Sequence, residues 1–158
     1  MSEAVGVSVT TTIEDDSISP ELARLARAIK NVDPALEEIG SSQVTEVQWR
    51  FEQAQGPDGI AWKSLADITR EAREKKGATK PQILRDTNNL YDSVTYKVLP
   101  GEATQIGTNK AYARIHQFGG LAGRGLKVEI PARPYLGLSE SGRQEVLAIL
   151  RDHIARQS

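Results

Sequence analysis

The sequence predicts an α+β fold: a small antiparallel sheet of three or four strands packed against a long helix and a C-terminal helix. Three observations carry this prediction. Apolar residues alternate with period two near 5–13 and 93–99, with a returning strand expected at 103–107, as half-buried strands require. Apolar residues recur at helical spacing over 33–54 and 139–155. The two kinds of element are partly segregated along the chain, which fits α+β better than the strict alternation of a parallel βαβ sheet.

In chain order, Val5, Val7, Val9, Thr11 and Ile13 form the first alternating segment, and residues 1–18 read as an N-terminal strand or arm. Glu14-Asp15-Asp16 ends it. Ser19-Pro20 reads as an N-cap followed by the first helical position, where proline's missing donor costs nothing. Leu22, Leu25, Ala26 and Ile29 then give a short helix one apolar stripe. Asp33-Pro34 repeats the start signal and opens a longer helix to about Ala54, with Leu36, Ile39, Val44, Val47 and Phe51 near one face. Gly40 inside it costs about 1 kcal/mol of helix propensity relative to alanine. Gly56-Pro57-Asp58-Gly59 is a turn, and Trp62 is expected to anchor it on the core.

Residues 66–82 read as a charged excursion, with Thr69 to Lys76 a solvated helix. Asp86 to Tyr91 suggests a short capped helix leading into a strand with Val94, Tyr96 and Val98 on one side. Pro100-Gly101 turns the chain into a returning strand over 103–107. Tyr112 to Phe118 reads as a short helix. Four glycines in seven residues (Gly119, Gly120, Gly123, Gly125) make 119–126 a flexible loop by composition. Leu126, Val128 and Ile130 alternate as a further strand, and Pro131, Arg133 and Pro134 form a stiff corner. The final helix is expected to bury Val146, Leu147, Ile149, Leu150 and Ile154.

With 158 residues, 39% hydrophobic and 26% charged, the chain reads as a single globular domain, 1–158. It has no cysteine and two histidines, which excludes disulfides and thiolate metal sites. No apolar run reaches the length of a membrane helix, and the N-terminus lacks the pattern of a signal peptide, so a cytoplasmic site of synthesis and use is expected. The net charge of −1 is unevenly placed. Residues 1–60 hold eleven acids and four bases, whereas residues 110–133 hold five bases and one acid. Such asymmetry can orient one copy against another.

No catalytic, cofactor or metal constellation emerges. Neither a phosphate loop nor a dinucleotide-binding glycine pattern is present. His116 lies between Ile115 and Gln117 on a short helix, where a partly buried, hydrogen-bonded structural role outweighs catalysis. His153 stands near a helix C-terminus, where the dipole favours it. Adjacent pairs such as Asp15/Asp16 and Glu37/Glu38 do not face each other across a cleft. A nucleic-acid module would draw on Arg114, Arg124, Lys127 and Arg133, interleaved with Tyr112, Phe118 and Tyr135. A pI near 6.2 argues against a dedicated nucleic-acid binder. Arginine and tyrosine are equally the residues of protein–protein hot spots. The stretch 106–138 is therefore read as a contact surface, with Tyr112, Arg114, His116, Gln117, Phe118, Arg124, Lys127, Arg133 and Tyr135 as candidate interface residues. Arg133, held between prolines, is expected to make either a stabilising contact within the subunit or one between subunits.

One ordered set of residues carries a family resemblance. It runs Phe51, Pro57-Asp-Gly59, Trp62, Leu65, Thr69; then Ile83-Leu84, Leu90, Ser93; then Ile106-Gly-Thr108, Tyr112-Ala113, Ile115-His-Gln-Phe-Gly119; and finally Ile130-Pro-Ala-Arg-Pro134, Leu136-Gly-Leu138-Ser139. It resembles the phage virion morphogenesis family, the tail-completion proteins of Mu-like and related contractile-tailed phages and prophages. The resemblance implies a non-enzymatic virion protein without cofactors, folded like phage neck and tail-terminator proteins. It further implies a ring, commonly hexameric, that completes the tail and meets tail-tube and head-connector proteins. Such a protein would act in the host cytoplasm and then reside in the virion, with no membrane role and only incidental DNA contact. A ring requires a heterologous interface, one face of each subunit meeting a different face of the next.

Overall fold

The computed structural model describes residues 6–8, 26, 27 and 29–157. Its elements in order are β1 (Gly6–Ser8), α1 (Asp33–Gln53), α2 (Asp67–Lys75), α3 (Asn89–Ser93), β2 (Thr95–Leu99), β3 (Ala103–Gly107), α4 (Ala113–Phe118), β4 (Gly120–Ala122), β5 (Val128–Ile130) and α5 (Glu140–Arg156). This is the expected α+β class. Most of the expected first strand and of the helix around Leu22 and Leu25 lies outside the described residues; residues 26, 27, 29 and 30 are helical.

Contacts group the chain into two compact units, one of residues 1–44, 95–106 and 140–158, the other of residues 45–94 and 107–139. The first holds a three-stranded sheet of order β1-β3-β2. β1 runs antiparallel to β3, with Gly6 opposite Gln105, Val7 opposite Thr104 and Ser8 opposite Ala103. β2 and β3 are joined by a tight turn in which the Glu102 amide donates to the Leu99 carbonyl at 3.0 Å, a connection only antiparallel neighbours can use. Asp33, opening α1, accepts from the Gly101 amide at 2.6 Å and so ties this turn to the helix start.

Ala35, Leu36, Ile39, Ala103, Val146 and Ile149 form the core of this unit. Gly40 explains how the helix and sheet approach. A Cβ there would come within 2.6 Å of Tyr96 Cγ on β2 and 2.8 Å of Thr104 Oγ1 on β3. The low propensity of glycine is therefore tolerated for a close approach, and α1 continues unbroken through it. On α5 the buried stripe is Gly142, Val146, Ile149 and His153. Leu147, expected to be buried, is exposed, and His153 is enclosed rather than solvated at the helix end. The spacing of four, three and four residues selects that face, and the histidine falls on it.

The second unit is built around aromatic rings. Phe51 stacks edge-on against Trp62 (5.5 Å between centroids) and Tyr91 (5.8 Å), and at a tilt against Tyr135 (5.2 Å). Val47, Leu90, Val94 and Ala113 complete this core. The turn after α1 forms as expected. Gly59 N–H donates to Gly56 O at 3.0 Å, Ile60 N–H to Asp58 Oδ1 at 3.0 Å, and Trp62 N–H to Ala54 O at 2.8 Å, which tucks the indole beneath the helix end. α2 buries none of its residues, as a solvated helix should.

Candidate assembly interface

The stretch between α4 and α5 holds the expected contact surface. The structure divides it into an anchored segment and a projecting one.

Residues 133–139 belong to no helix or strand, so their backbone polar groups must find other partners. They find side chains. Arg50, only 1% exposed, donates from Nη1 to Tyr135 O at 3.0 Å and to Gly137 O at 2.7 Å. Its Nη2 donates to Glu46 Oε1 at 2.8 Å, and Ser139 Oγ donates to the same oxygen. Trp62 Nε1 donates to Pro134 O at 2.8 Å. Gln117 works in both directions: its Oε1 accepts from the amides of Tyr135 and Leu136, each at 3.0 Å, and its Nε2 donates to Leu136 O at 3.0 Å. The prolines at 131 and 134 remove donors that would otherwise need partners here.

This geometry reassigns three of the expected interface residues. Arg133 is buried, with Nε donating to Lys63 O at 2.8 Å and Nη2 to Ser64 O at 2.9 Å, while its amide donates to His116 O at 2.7 Å. Of the two roles open to it, the structure gives it a contact within the subunit. Tyr135 is buried in the aromatic core, and burial pushes its phenol up to about 12, so it stays neutral. Gln117 is occupied with backbone. Arginine and tyrosine suit an interface and a polar-lined interior equally, and composition alone does not separate the two.

His116 is partly enclosed, its ring edge-on to Tyr112 at 5.9 Å. Its Nδ1 is buried and meets no protein hydrogen-bond partner. Burial first, and then the Arg133 charge, hold its pKa below the ordinary 6.5. Protonation therefore favours the unfolded chain: stability is full above about pH 6.5 and falls as pH drops through the folded value. His116→Gln is expected to flatten the dependence of the unfolding midpoint on pH between about 7 and 5.5. An unchanged slope in denaturant titrations at several pH values would show that other groups set it.

The remaining candidates lie outside. Tyr112, Arg114, Phe118, Arg124 and Lys127 are all exposed. Phe118 ends α4, and Gly119 then turns the chain with φ +72°. A Cβ at Gly119 would stand 2.8 Å from Ala132 N and 2.9 Å from Ile130 O, so only glycine fits. Beyond it, the expected flexible loop contains a strand. β4 pairs antiparallel with β5, Gly120 opposite Ile130, Leu121 opposite Glu129 and Ala122 opposite Val128. Gly123 to Leu126 forms the tip, closed by Leu126 N–H to Gly123 O at 3.1 Å. The result is a hairpin with a basic tip, rooted on the anchored segment, with Leu121 beside Glu129 on one face and Val128 beside Ala122 on the other. Among the described residues, no group of three histidines or carboxylates could hold a metal ion, and no helix is long and apolar enough to cross a membrane.

The model of the phage virion morphogenesis family matches residues 13–155. The chain belongs to that family. It is 38% identical over 136 residues to Mu-like prophage FluMu G protein 2 of Haemophilus influenzae, covering 86% of this chain and 88% of that protein. It is 28% identical over 142 residues to the putative capsid assembly protein G of Escherichia phage Mu, covering 80% and 90%. FluMu G protein 1 of Haemophilus influenzae is 27% identical over 143 residues, covering 90% and 92%. No solved structure matches the chain significantly. Membership makes this a structural virion-morphogenesis protein, as the motifs around His116 and Arg133 implied. Within those motifs Gln117, Arg133 and Tyr135 hold the backbone together, while Phe118 stands at the root of the projecting hairpin.

Proposed function

We propose that this protein completes a phage tail and prepares its head-proximal end for joining, acting by protein–protein contact and without catalysis. In this reading it assembles as a ring, a hexamer when complete, that touches tail-tube proteins on one side and head-connector proteins on the other. It assembles in the host cytoplasm and remains in the tail or neck of the virion.

The observation that carries the reading is a hairpin on an anchored base that leaves Phe118, Leu121, Leu126 and Val128 each more than half exposed. Large apolar side chains gathered in one short segment and left in water suit a surface that a partner covers. The role in the name of the phage Mu relative, putative capsid assembly, agrees with a part that works between larger components. The nucleic-acid alternative loses Arg133 and Tyr135 to the interior, which leaves it Arg114, Arg124 and Lys127 with the rings of Tyr112 and Phe118.

The test is to add the purified protein to tail tubes and to examine them by light scattering and electron microscopy. Ring-shaped density at one end of each tube is the expected result. Tubes left bare at both ends, or protein spread along their length, would overturn the reading.

A further inference from the structure

We infer that a cleft beside α2 binds a dianionic phosphate group, a role that does not depend on the proposed assembly. The cleft, of about 180 Å³, lies between the last turn of α2 and the segment 78–86. Arg73, Lys80 and Arg85 line it together with Asp86.

The local fold builds this site. Gly77, at φ +98°, turns the chain off α2, and the Ala78 amide donates back to Arg73 O at 3.1 Å. Arg73 ties the returning chain to the helix: its Nη1 donates to Gln82 O at 2.7 Å, and its Nε lies 3.3 Å from Asp86 Oδ1. Leu84 then takes a left-handed backbone (φ +58°), which a bulky side chain adopts only where its surroundings hold it there. Arg85, the next residue, is pinned twice. Its Nε donates to Asn88 Oδ1 at 3.1 Å, and its guanidinium carbon stands 4.5 Å from the centre of the Tyr91 ring.

What these contacts leave over points to the ligand. Arg85 is held by a neutral amide and a ring, and Lys80 is exposed; among the described residues neither makes an ion pair. The nearby carboxylates are engaged elsewhere, Asp67 with Arg70 at 2.8 Å and Asp86 with Arg73. Three cations less one carboxylate leave the cleft lining at +2, which a phosphate monoester near neutral pH balances. Geometry separates phosphate from carboxylate. The two coplanar oxygens of a carboxylate are satisfied by one guanidinium fork, and Arg73 has already committed Nε and Nη1. A phosphate presents oxygens in several directions, so it can draw on Arg85, Lys80 and the remaining nitrogen of Arg73 at once. Because both guanidiniums are braced beforehand, less ordering is required of them on binding.

The test is nuclear magnetic resonance of the isotopically labelled full-length protein, titrated with inorganic phosphate at constant ionic strength and near-neutral pH. Saturable shifts are expected at the amides of Ala78, Lys80, Gln82, Arg85 and Asp86. Arg85→Gln should weaken phosphate binding about tenfold. Lys80→Gln should do the same, and because that side chain is exposed and in no ion pair, its unfolding curve should match the parent's. Lys127→Gln makes the same charge change at the hairpin tip and should leave phosphate binding unaltered. Titration with adenosine monophosphate then distinguishes the source of the group. Tighter binding than inorganic phosphate assigns it to an ester, equal binding assigns it to free phosphate, and either upholds the site. Acetate that binds as tightly as phosphate, shifts that never saturate, or Lys80 and Arg85 variants that bind like the parent would overturn the inference. So would displacement of phosphate by duplex DNA in a salt-sensitive way, which would make the cleft part of a nucleic-acid surface.

Discussion

Replacing Arg50 with methionine is expected to destabilise the protein by about 3–5 kcal/mol, the range for removing one partner of a buried, hydrogen-bonded charge pair. The side chain of Arg50 is 2% exposed and that of Glu46 is 19% exposed. Methionine fills the volume but leaves the Tyr135 and Gly137 carbonyls without donors and the Glu46 carboxylate without its cation. Because water still reaches Glu46, the lower end of the range is expected. Arg50→Lys should recover less than half, since one ammonium cannot reproduce a planar fork aimed at two carbonyls and a carboxylate. Adding Glu46→Gln to Arg50→Met should restore part of the loss by removing the stranded charge. Denaturant titrations of the four proteins decide it. An Arg50→Met variant within about 1 kcal/mol of the parent would mean that the segment 133–139 is not held by this side chain.

Gly40→Ala is the second large effect, and its sign opposes helix propensity. On propensity alone, alanine should gain about 1 kcal/mol. The new methyl, however, meets Tyr96 Cγ and Thr104 Oγ1 well inside van der Waals distance. Neither atom is the free end of a flexible chain. Tyr96 is hydrogen-bonded to Glu37 on the same helix, and Thr104 is buried within the central strand. The helix must move off the sheet, and overpacking of that kind costs typically about 1–3 kcal/mol. A net loss of about 2 kcal/mol is expected in the same titrations. A stability equal to the parent's, or higher, would show that helix and sheet are not in contact at this residue.

The sequence reveals elements whose periodicity is strong and conceals those whose order is borrowed. α1, the β2–β3 pair, α4 and α5 are legible because apolar spacing and turn residues agree on each of them. β4 is not, because a three-residue strand beginning with glycine has no period to read. The glycines around it signal freedom where they in fact permit a tight root and tip. The candidate surface is half legible. Phe118, Arg124 and Lys127 are exposed as expected, but Arg133 and Tyr135 lie in a segment without regular structure, where sequence spacing does not tell inside from outside. Arg50 and Trp62, which with Gln117 organise that segment, differ in what the sequence says of them. Trp62 behind its turn points to the core. Arg50 reads as an ordinary helix charge, although it continues the stripe Leu36, Ile39, Gln43, Val47 at helical spacing. A charged residue on an apolar stripe is the available signal.

The anchored segment also sets an order of events. Its partners are remote in sequence: Arg50 is 85 and 87 residues from the carbonyls it meets, Trp62 is 72 from its own, and Arg133 is 70 and 69 from Lys63 and Ser64. Contacts of such span form slowly, because a long loop must close before any bond rewards it. Having no ladder of its own, the segment acquires its shape only after α1, the Trp62 turn and α4 are in place. The hairpin is rooted between α4 and this segment, so its final presentation belongs to the completed subunit rather than to its folding intermediates. Presentation of the exposed Phe118, Leu121, Leu126 and Val128 is thereby coupled to folding kinetics, with this surface among the last features to mature.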